Sequence, residues 1–452
     1  MIQAAQTRVP TPRTGLARVT ASRWPDDPLR LALLGLMLLT VSRIHEHFGI
    51  LALARPALVL AGLASAYAFL NPRSLAGSRW LQTWPARVVV ALGFLACLSA
   101  VFGISLGASA RTILENYAKV LMFAFLLMAT IRGTRDLRAY VWAYVASAGV
   151  LVWLSLFVFG LTKGGPDSLA RLDFQYSYDA NDVGVVLLVG LALALLTFHS
   201  SRRLGKLVSA VILVGIGVTL AESGSRGAFI GLLATLVALL VIVRQVSLIS
   251  RLAMVVLVVT GLAVASPPGY WQQMETILRP TEDYNWTVPG GRKQTWQRGL
   301  GYMKSYPLFG IGIGNFARAE GTISDRAMNW APGDPGIRWS APHNSFVEAG
   351  AELGVPGVLL WSTLVLGGIG AMLRLRRRLP KVWAVGDPDQ RFLYLATSYL
   401  SVALTGFAVS AFFVSFAFND TVYILAAFMI GIYVSVARKL GNTSPSRGTL
   451  GG

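Results

Sequence analysis

NDVGVVLLVGLALALLTFHSSRR, residues 181–203, decides the fold. Asn181 and Asp182 give way at once to an apolar run over 183–198, and Arg202 and Arg203 follow it. In lipid every backbone N–H and C=O must be satisfied inside the segment, so a run of this kind is read as a spanning helix. The basic end also orients it, because cytoplasmic loops collect Lys and Arg.

The same pattern recurs along nearly the whole chain. Twelve segments carry it: 29–44, 50–70, 86–106, 113–131, 137–160, 183–198, 204–221, 227–243, 252–265, 355–373, 392–416 and 421–437. Some are short for a hydrocarbon core of roughly 30 Å and call for tilt or thinned lipid. With 452 residues, 54% hydrophobic and only 13% charged, the chain is far less charged than a soluble protein of its length. Mean hydropathy is +0.58. The long Leu, Val and Ala blocks lack the alternation of a β-barrel. The expected fold class is an all-α polytopic membrane protein of about twelve transmembrane helices.

The formal net charge is +19, from 40 Lys and Arg against 21 Asp and Glu. In a soluble protein this would suggest nucleic acid, but here topology accounts for most of it. With the N-terminus inside, every inside segment is basic. The inside loops hold Arg73, Arg79 and Arg87; Arg132, Arg135 and Arg138; Arg202, Arg203 and Lys206; and Arg244 and Arg251. The next holds Arg374, Arg376, Arg377, Arg378, Lys381 and Arg391, and the tail holds Arg438, Lys439 and Arg447. Both termini are therefore expected in the cytoplasm. The expected organisation is a basic tail (1–28), nine spans (29–265), a large outer loop (266–354), three spans (355–437) and a second tail (438–452). The first tail lacks the short apolar core and cleavage site of a removed signal peptide.

Charge left at the outer face is not explained by orientation. Arg111, Lys163, Arg171 and Arg226 stand there, with the basic residues of the long loop. They point to an anionic ligand. Three outer segments carry most of the polar chemistry. In the first, Tyr176 to Asp182, Asp182 is read as a helix N-cap. Asn181 is either part of that start or a ligand for a sugar or phosphate oxygen. Arg171 either binds phosphate or pairs with Asp173. In the second, Ser223-Gly224-Ser225-Arg226-Gly227 joins two spans by a tight turn and sets Arg226 in the first turn of a helix. Helix N-termini favour anions and an Arg fork adds a bidentate phosphate partner, whereas the bland alternative is snorkelling to headgroups. Arg111 has the same two readings. Glu115 and Lys119, four apart, are expected to pair.

The third segment is the loop itself, too long for a connector. It holds Trp271, Trp286, Trp296, Trp330 and Trp339, whose faces suit sugar rings as well as the membrane interface. Trp296, Leu300 and Met303 recur at helical spacing, predicting an amphipathic helix lying on the membrane. Gly310 to Phe316 has a glycine pattern with no strand–helix unit around it, so a nucleotide loop is excluded. Ala341-Pro342-His343-Asn344-Ser345 ends the loop, and a short helix stopped by Gly354-Val355-Pro356-Gly357 follows.

Of the four histidines, 45, 47, 199 and 343, only His343 sits beside the large loop at a rigid turn. Titrating near neutral pH, it is a natural general base. No second clustered His and no acidic triad accompany it, so no metal site is expected. Glu348 and Glu352 share a helical face and either orient His343 or cap neighbouring groups. The single cysteine, Cys97, excludes an intrachain disulfide.

Ser225-Arg226-Gly227-Ala228, Gly291-Arg292 with Trp296, Gly312 to Phe316, Pro342 to Phe346 and Glu352-Leu353-Gly354, in this order, resemble the O-antigen ligase (WaaL) family within the O-antigen ligase and polymerase superfamily. The likeness covers roughly residues 181–361. It implies a GT-C-like, metal-independent, inverting glycosyltransferase of the bacterial inner membrane, with its site facing the periplasm and no cofactor. The implied donor is a glycan on undecaprenyl pyrophosphate, and the implied acceptor is the lipid A–core oligosaccharide; membrane lipids, and no nucleic acid, are the other partners. His343 would be the base, with Arg226 and Arg292 on the pyrophosphate and Asn181, Arg171, Arg111, Asn344, Trp296 and Trp339 at the substrates. A polysaccharide polymerase and a protein O-oligosaccharyltransferase share that chemistry. A transporter of a lipid-linked anion would need repeats with matching broken helices, which the sequence lacks.

Overall fold

A computed structural model describes residues 27–75, 78–163, 170–172, 178–279, 286, 291–331, 336–337 and 339–443. Most of the two expected tails, and residues 173–177 with Asp173, lie outside the described residues. Ten helices among those described are long and apolar enough to cross a membrane. They are Gly49–Leu70, Trp84–Phe102, Leu106–Thr130, Thr134–Phe159, Ala180–Ser200, Arg203–Glu222, Leu248–Ala265, Ser345–Arg378, Pro388–Ser410 and Asp420–Gly441. Pro28–Ser42 and Arg226–Ile242 are apolar but shorter. Each of the twelve apolar segments of the sequence overlaps one of these helices.

One amendment to an all-α fold is needed. Leu161–Lys163 pairs antiparallel with Ala170–Leu172, Thr162 opposite Arg171, in a small hairpin just before the helix that starts at Ala180. Helix interiors also depart from the simple pattern. The Gly49–Leu70 segment breaks at Arg55 (φ 45), where Pro56 restarts the helix. π turns widen three helices at Ile113–Tyr117, Ser155–Phe159 and Thr363–Gly367. The first falls between Glu115 and Lys119 and spoils their four-residue register; both are exposed and form no ion pair with each other among the described residues.

Burial sorts the helices into centre and periphery. The apolar window of Pro388–Ser410 is 89% buried and that of Leu248–Ala265 only 6%. The central helix is the less apolar of the two, with mean hydropathy 1.6 against 2.3, so apolarity did not mark which one the protein buries. Small residues allow close approach at the centre, as is common where apolar helices meet in lipid. A Cβ on Gly231 would run into Ser410 Oγ, and one on Gly406 into Thr235 Oγ1, so Arg226–Ile242 and Pro388–Ser410 touch nearly backbone to backbone.

At the end where the inside arginines gather, several do more than orient the chain. Asp27 caps Pro28–Ser42 and pairs with Arg132, while Arg30 meets Asp136 at 2.8 Å. Arg438 donates to the Arg132 carbonyl at 2.9 Å. The basic segments are thereby tied across the bundle.

The long loop is folded onto the opposite end. Its main helix, Arg292–Ser305, packs on the start of the Ser345–Ser362 helix. The face that does so is Thr295, Gly299 and Tyr302, all buried, with Gly299 pressed against Val347 and Phe316. Leu300 is 52% exposed. The stripe of Trp296, Leu300 and Met303 therefore does not mark the buried face. The contact needed a small residue and a hydroxyl-bearing one, which hydrophobic periodicity does not register. Arg298 holds Glu320 through Nε at 2.8 and 2.9 Å, and Tyr302 adds a hydroxyl bond to Glu320 at 2.8 Å, fixing the short Phe316–Thr322 helix alongside.

Candidate active site

His343 is the organising residue. Its backbone lies in the left-handed region (φ 45), where few non-glycine residues sit. Such a conformation costs about 1–3 kcal/mol and persists where surrounding contacts impose it. Two contacts do so here. The Trp296 indole N–H donates to the Pro342 carbonyl at 2.8 Å, and the His343 N–H donates to Ser415 Oγ at 3.0 Å. Trp286 meets Trp296 edge to face, with ring centroids 5.4 Å apart. Asn344 then caps the next helix, its side-chain oxygen accepting from Phe346 N at 3.0 Å and Val347 N at 3.1 Å.

The ring of His343 reaches the surface. Enough protein still surrounds it to hold its pKa below the ordinary 6.5. The Arg292 guanidinium pushes the same way, and the Asp179 carboxylate opposes both. Neutral imidazole is thus the dominant form at neutral pH. This is the form that can accept a proton.

Ser415 belongs to the loop 411–419 that joins the last two long helices, and that loop docks on the start of the Ser345 helix. Ser345 N donates to Ala411 O at 2.8 Å, Ser345 Oγ to Val414 O at 2.8 Å, and Phe416 N to Ser345 Oγ at 2.9 Å. Ala417 N donates to a Glu348 oxygen at 2.9 Å. On its other side the loop meets the Arg226 turn, since a Cβ on Gly227 would come 2.6 Å from Phe413 Cβ.

The Arg226 turn is built as its residues suggest. Ser225 caps the helix by accepting from Ala228 N at 3.1 Å. The Arg226 guanidinium, half-buried, donates to Thr276 Oγ1 at 2.8 Å, and Gln273 donates to the Gly224 carbonyl at 2.6 Å. The first helix of the long loop, Tyr270–Glu275, thereby covers the turn.

Asn181 links this turn to the neighbouring helix start. Its Oδ1 accepts from Ser225 Oγ at 2.7 Å and its Nδ2 donates to Asp179 at 3.1 Å. The N-cap of that helix is Asp179, not Asp182 as the sequence suggested. Asp182 sits three residues on and closes a capping box by accepting from Asp179 N. Polar residues that look like ligands from the sequence are here joining helix ends. Asp179, which the sequence did not single out, also faces His343 electrostatically.

Residues 211–362 match a family model described as O-antigen ligase. This segment is similar to O-antigen ligases. A search of curated proteins finds no match to the chain. The matched segment includes Arg226, Arg292, Trp296, Trp339, His343 and Asn344, whereas Arg111, Arg171 and Asn181 precede it. Ten helices among the described residues are long and apolar enough to cross a membrane, as expected of a multi-pass membrane protein.

Within the matched segment the glycine pattern proves to be a carboxylate cradle. Gly310, Gly312 and Gly314 all have positive φ, at 69, 100 and 74°. The turns they permit aim two N–H groups at Glu352, Gly314 N at 2.5 Å and Phe316 N at 3.0 Å. The Glu352 carbonyl accepts from Ser99 Oγ at 2.6 Å and Gly312 N at 3.2 Å. Two residues later Gly354 (φ 73, ψ −171) breaks the helix, and the Val355 N–H turns to the Pro307 carbonyl at 2.8 Å. Neither Glu352 nor Glu348 orients His343; both cap loop backbone.

Other expected site residues are scattered. Arg111 is exposed on Leu106–Thr112, whose opposite face carries Ser109 and Thr112 against the glycine loop. Among the described residues nothing ties it to His343. The Arg171 backbone lies in the hairpin, but its side chain is outside the described set. Trp339 is 58% exposed and rests on Gly321. His199, at the other end, accepts or donates to Tyr399 at 2.8 Å and stacks on its ring, a structural role. What sequence reasoning missed was Asp179, Ser415 and the grip on Glu352. Asp179 stood in plain view beside Asp182. Ser415 and Glu352 carry no local signal, because their partners are 72 and 36–38 residues away.

Proposed function

We propose that the protein is an inverting, metal-independent glycosyltransferase that moves an O-antigen glycan from undecaprenyl pyrophosphate to the lipid A–core oligosaccharide at the periplasmic face of the inner membrane. The observation that carries this reading is His343, held in a left-handed turn beside Arg292 and depressed in pKa. It stands across the 411–419 loop from the Arg226 helix start. A neutral base and two guanidinium groups at one end of an apolar bundle match the needs of this reaction.

In the proposed mechanism the imidazole of His343 takes the proton of an acceptor hydroxyl. The oxygen attacks the anomeric carbon from the face opposite the donor phosphate, and the bond from that carbon to the phosphate oxygen breaks. The electron pair leaves on the pyrophosphate, where Arg226 and Arg292 stabilise it. Preorganised donors of this kind contribute about 3–4 kcal/mol each in other enzymes. Asn181, Asn344, Arg171, Arg111, Trp296 and Trp339 are the proposed substrate contacts. The first two act partly through the helix starts they build, and Trp296 through its hold on Pro342.

The test uses purified protein, undecaprenyl pyrophosphate-linked glycan, lipid A–core and a divalent-metal chelator. Asn tolerates the left-handed backbone, so His343→Asn removes the base while sparing the turn. Transfer should fall roughly 100- to 10,000-fold with the melting temperature unchanged. Full activity in His343→Asn would sink the base assignment. Glycan chain growth without lipid A–core would make the protein a polymerase instead.

A further inference from the structure

A second basic site lies at the far end of the molecule. A cavity of about 350 Å³ opens among Trp84, Thr363, Gly367, Arg374, Arg378 and Tyr433. It lies toward the far end of the helix that runs on from the Gly354 break to Arg378, roughly 30 Å of rise away from that break. The cavity exists because of two local features. The π turn at Thr363–Gly367 bulges one wall, and Gly367, which ends it, offers no side chain; a Cβ there would meet only Thr363 at 3.5 Å and Trp84 at 3.9 Å. Trp84 donates to the Tyr433 hydroxyl at 3.3 Å, closing the floor between two helices.

Among the described residues the rim is cationic without a compensating carboxylate. Arg374 and Arg378 are four residues apart on one helix face and both exposed, a like-charge pairing that disfavours the helix. The carboxylates of the following segment, Asp387 and Asp389, are taken by Lys439 and Arg138. Arg376, between them in sequence, turns away onto the Tyr394 ring at 4.0 Å and Gln245 at 3.2 Å. Arg374 is braced by its Nε bond to the Gly370 carbonyl at 3.2 Å, and no carboxylate among the described residues pairs with it. Next to Gly367, Leu366 is 50% exposed on the outer surface of the bundle. Two arginine forks over an aromatic, half-apolar recess at the membrane edge match a phosphate headgroup with its acyl chains alongside.

We propose that this cavity binds the headgroup of an anionic phospholipid from the leaflet on the Arg-rich side, at a site separate from the O-antigen ligase chemistry. Arg374 and Arg378 hold the phosphate, Trp84 and Tyr433 line the glycerol level, and the π bulge makes the room. The shared chemistry is a phosphate ester, so a free phosphate must be told apart from a lipid.

The experiment is native mass spectrometry of the full-length protein released from phosphatidylcholine nanodiscs, with or without phosphatidylglycerol, together with titration by inorganic phosphate alone. Wild type should retain phosphatidylglycerol through delipidation. The Arg374→Gln/Arg378→Gln double variant should lose roughly 30-fold in affinity, the worth of two interfacial cations. Gly367→Leu, which fills the cavity and spares both charges, should lose retention too, and Arg377→Gln should keep it. Equal retention by the double variant and wild type would overturn the proposal. So would inorganic phosphate binding as tightly as the lipid, which would assign the site to a free anion.

Discussion

Glu352 offers the sharpest test of how the outer end is held together. Its carboxylate accepts two backbone N–H bonds, from Gly314 and Phe316, and is almost fully buried. A buried backbone donor left without its partner costs about 1–3 kcal/mol. Glu352→Ala strands two such donors, so the loop 306–324 should lose about 2–6 kcal/mol of local stability. Glu352→Gln is not harmless, because its amide turns a donor toward a donor; it should lose about half as much. A local loss of that size raises the open fraction of the loop roughly 30- to 20,000-fold for the Ala variant. Tryptic cleavage at Arg318 or Arg326 tracks that fraction when closing is faster than cutting. The assay is therefore limited proteolysis of purified protein in detergent, with transfer activity measured in parallel. Cleavage within threefold of wild type in Glu352→Ala would refute the cradle argument. If activity were then lost with the loop intact, Glu352 would belong to the chemistry and not to the scaffold.

The remaining predictions concern the base and its surroundings. The rate should rise with pH through a midpoint below 6.5 and stay flat through neutrality, because the pKa of His343 is lowered in the folded protein and only the neutral ring works. Removing the cation in Arg292→Gln should move the midpoint of the residual activity upward, and Asp179→Asn, which keeps the helix cap, should move it down; a midpoint deaf to both would sever these charges from the base. Trp296→Phe deletes the bond to the Pro342 carbonyl and should lower kcat about 2- to 10-fold, the worth of one hydrogen bond, at unchanged melting temperature; loss of stability instead would make Trp296 a packing residue only. Gly406→Val drives a branched side chain into Thr235 and should lower thermal stability by about 1–3 kcal/mol, read as the aggregation temperature in detergent, while Gly261→Val, facing open space, should not.

Much of the molecule was legible in one dimension. All twelve apolar segments are helical, because in lipid the backbone has no alternative partner, but only ten are long enough to cross a membrane; Pro28–Ser42 and Arg226–Ile242 are shorter. The Gly354 break and the Ser225 cap were equally local, since a left-handed glycine and a hydroxyl before a helix act within a few residues of themselves. His343 stood out as the histidine at a proline-fixed turn after the long loop. The tertiary structure decided the rest. Which helices are central depends on Gly231 meeting Ser410, not on their hydropathy. The face of Arg292–Ser305 that packs inward is its Thr and Gly side, because close approach there is worth more than apolar area. The glycine loop became legible only once Glu352 was seen inside it. The electrostatic setting of His343 comes from Arg292 and Asp179, and its backbone is held by Ser415 and Trp296. Those groups come from three separate stretches of chain, and a charge or a hydrogen bond acts over ångströms in space without regard to the number of residues between.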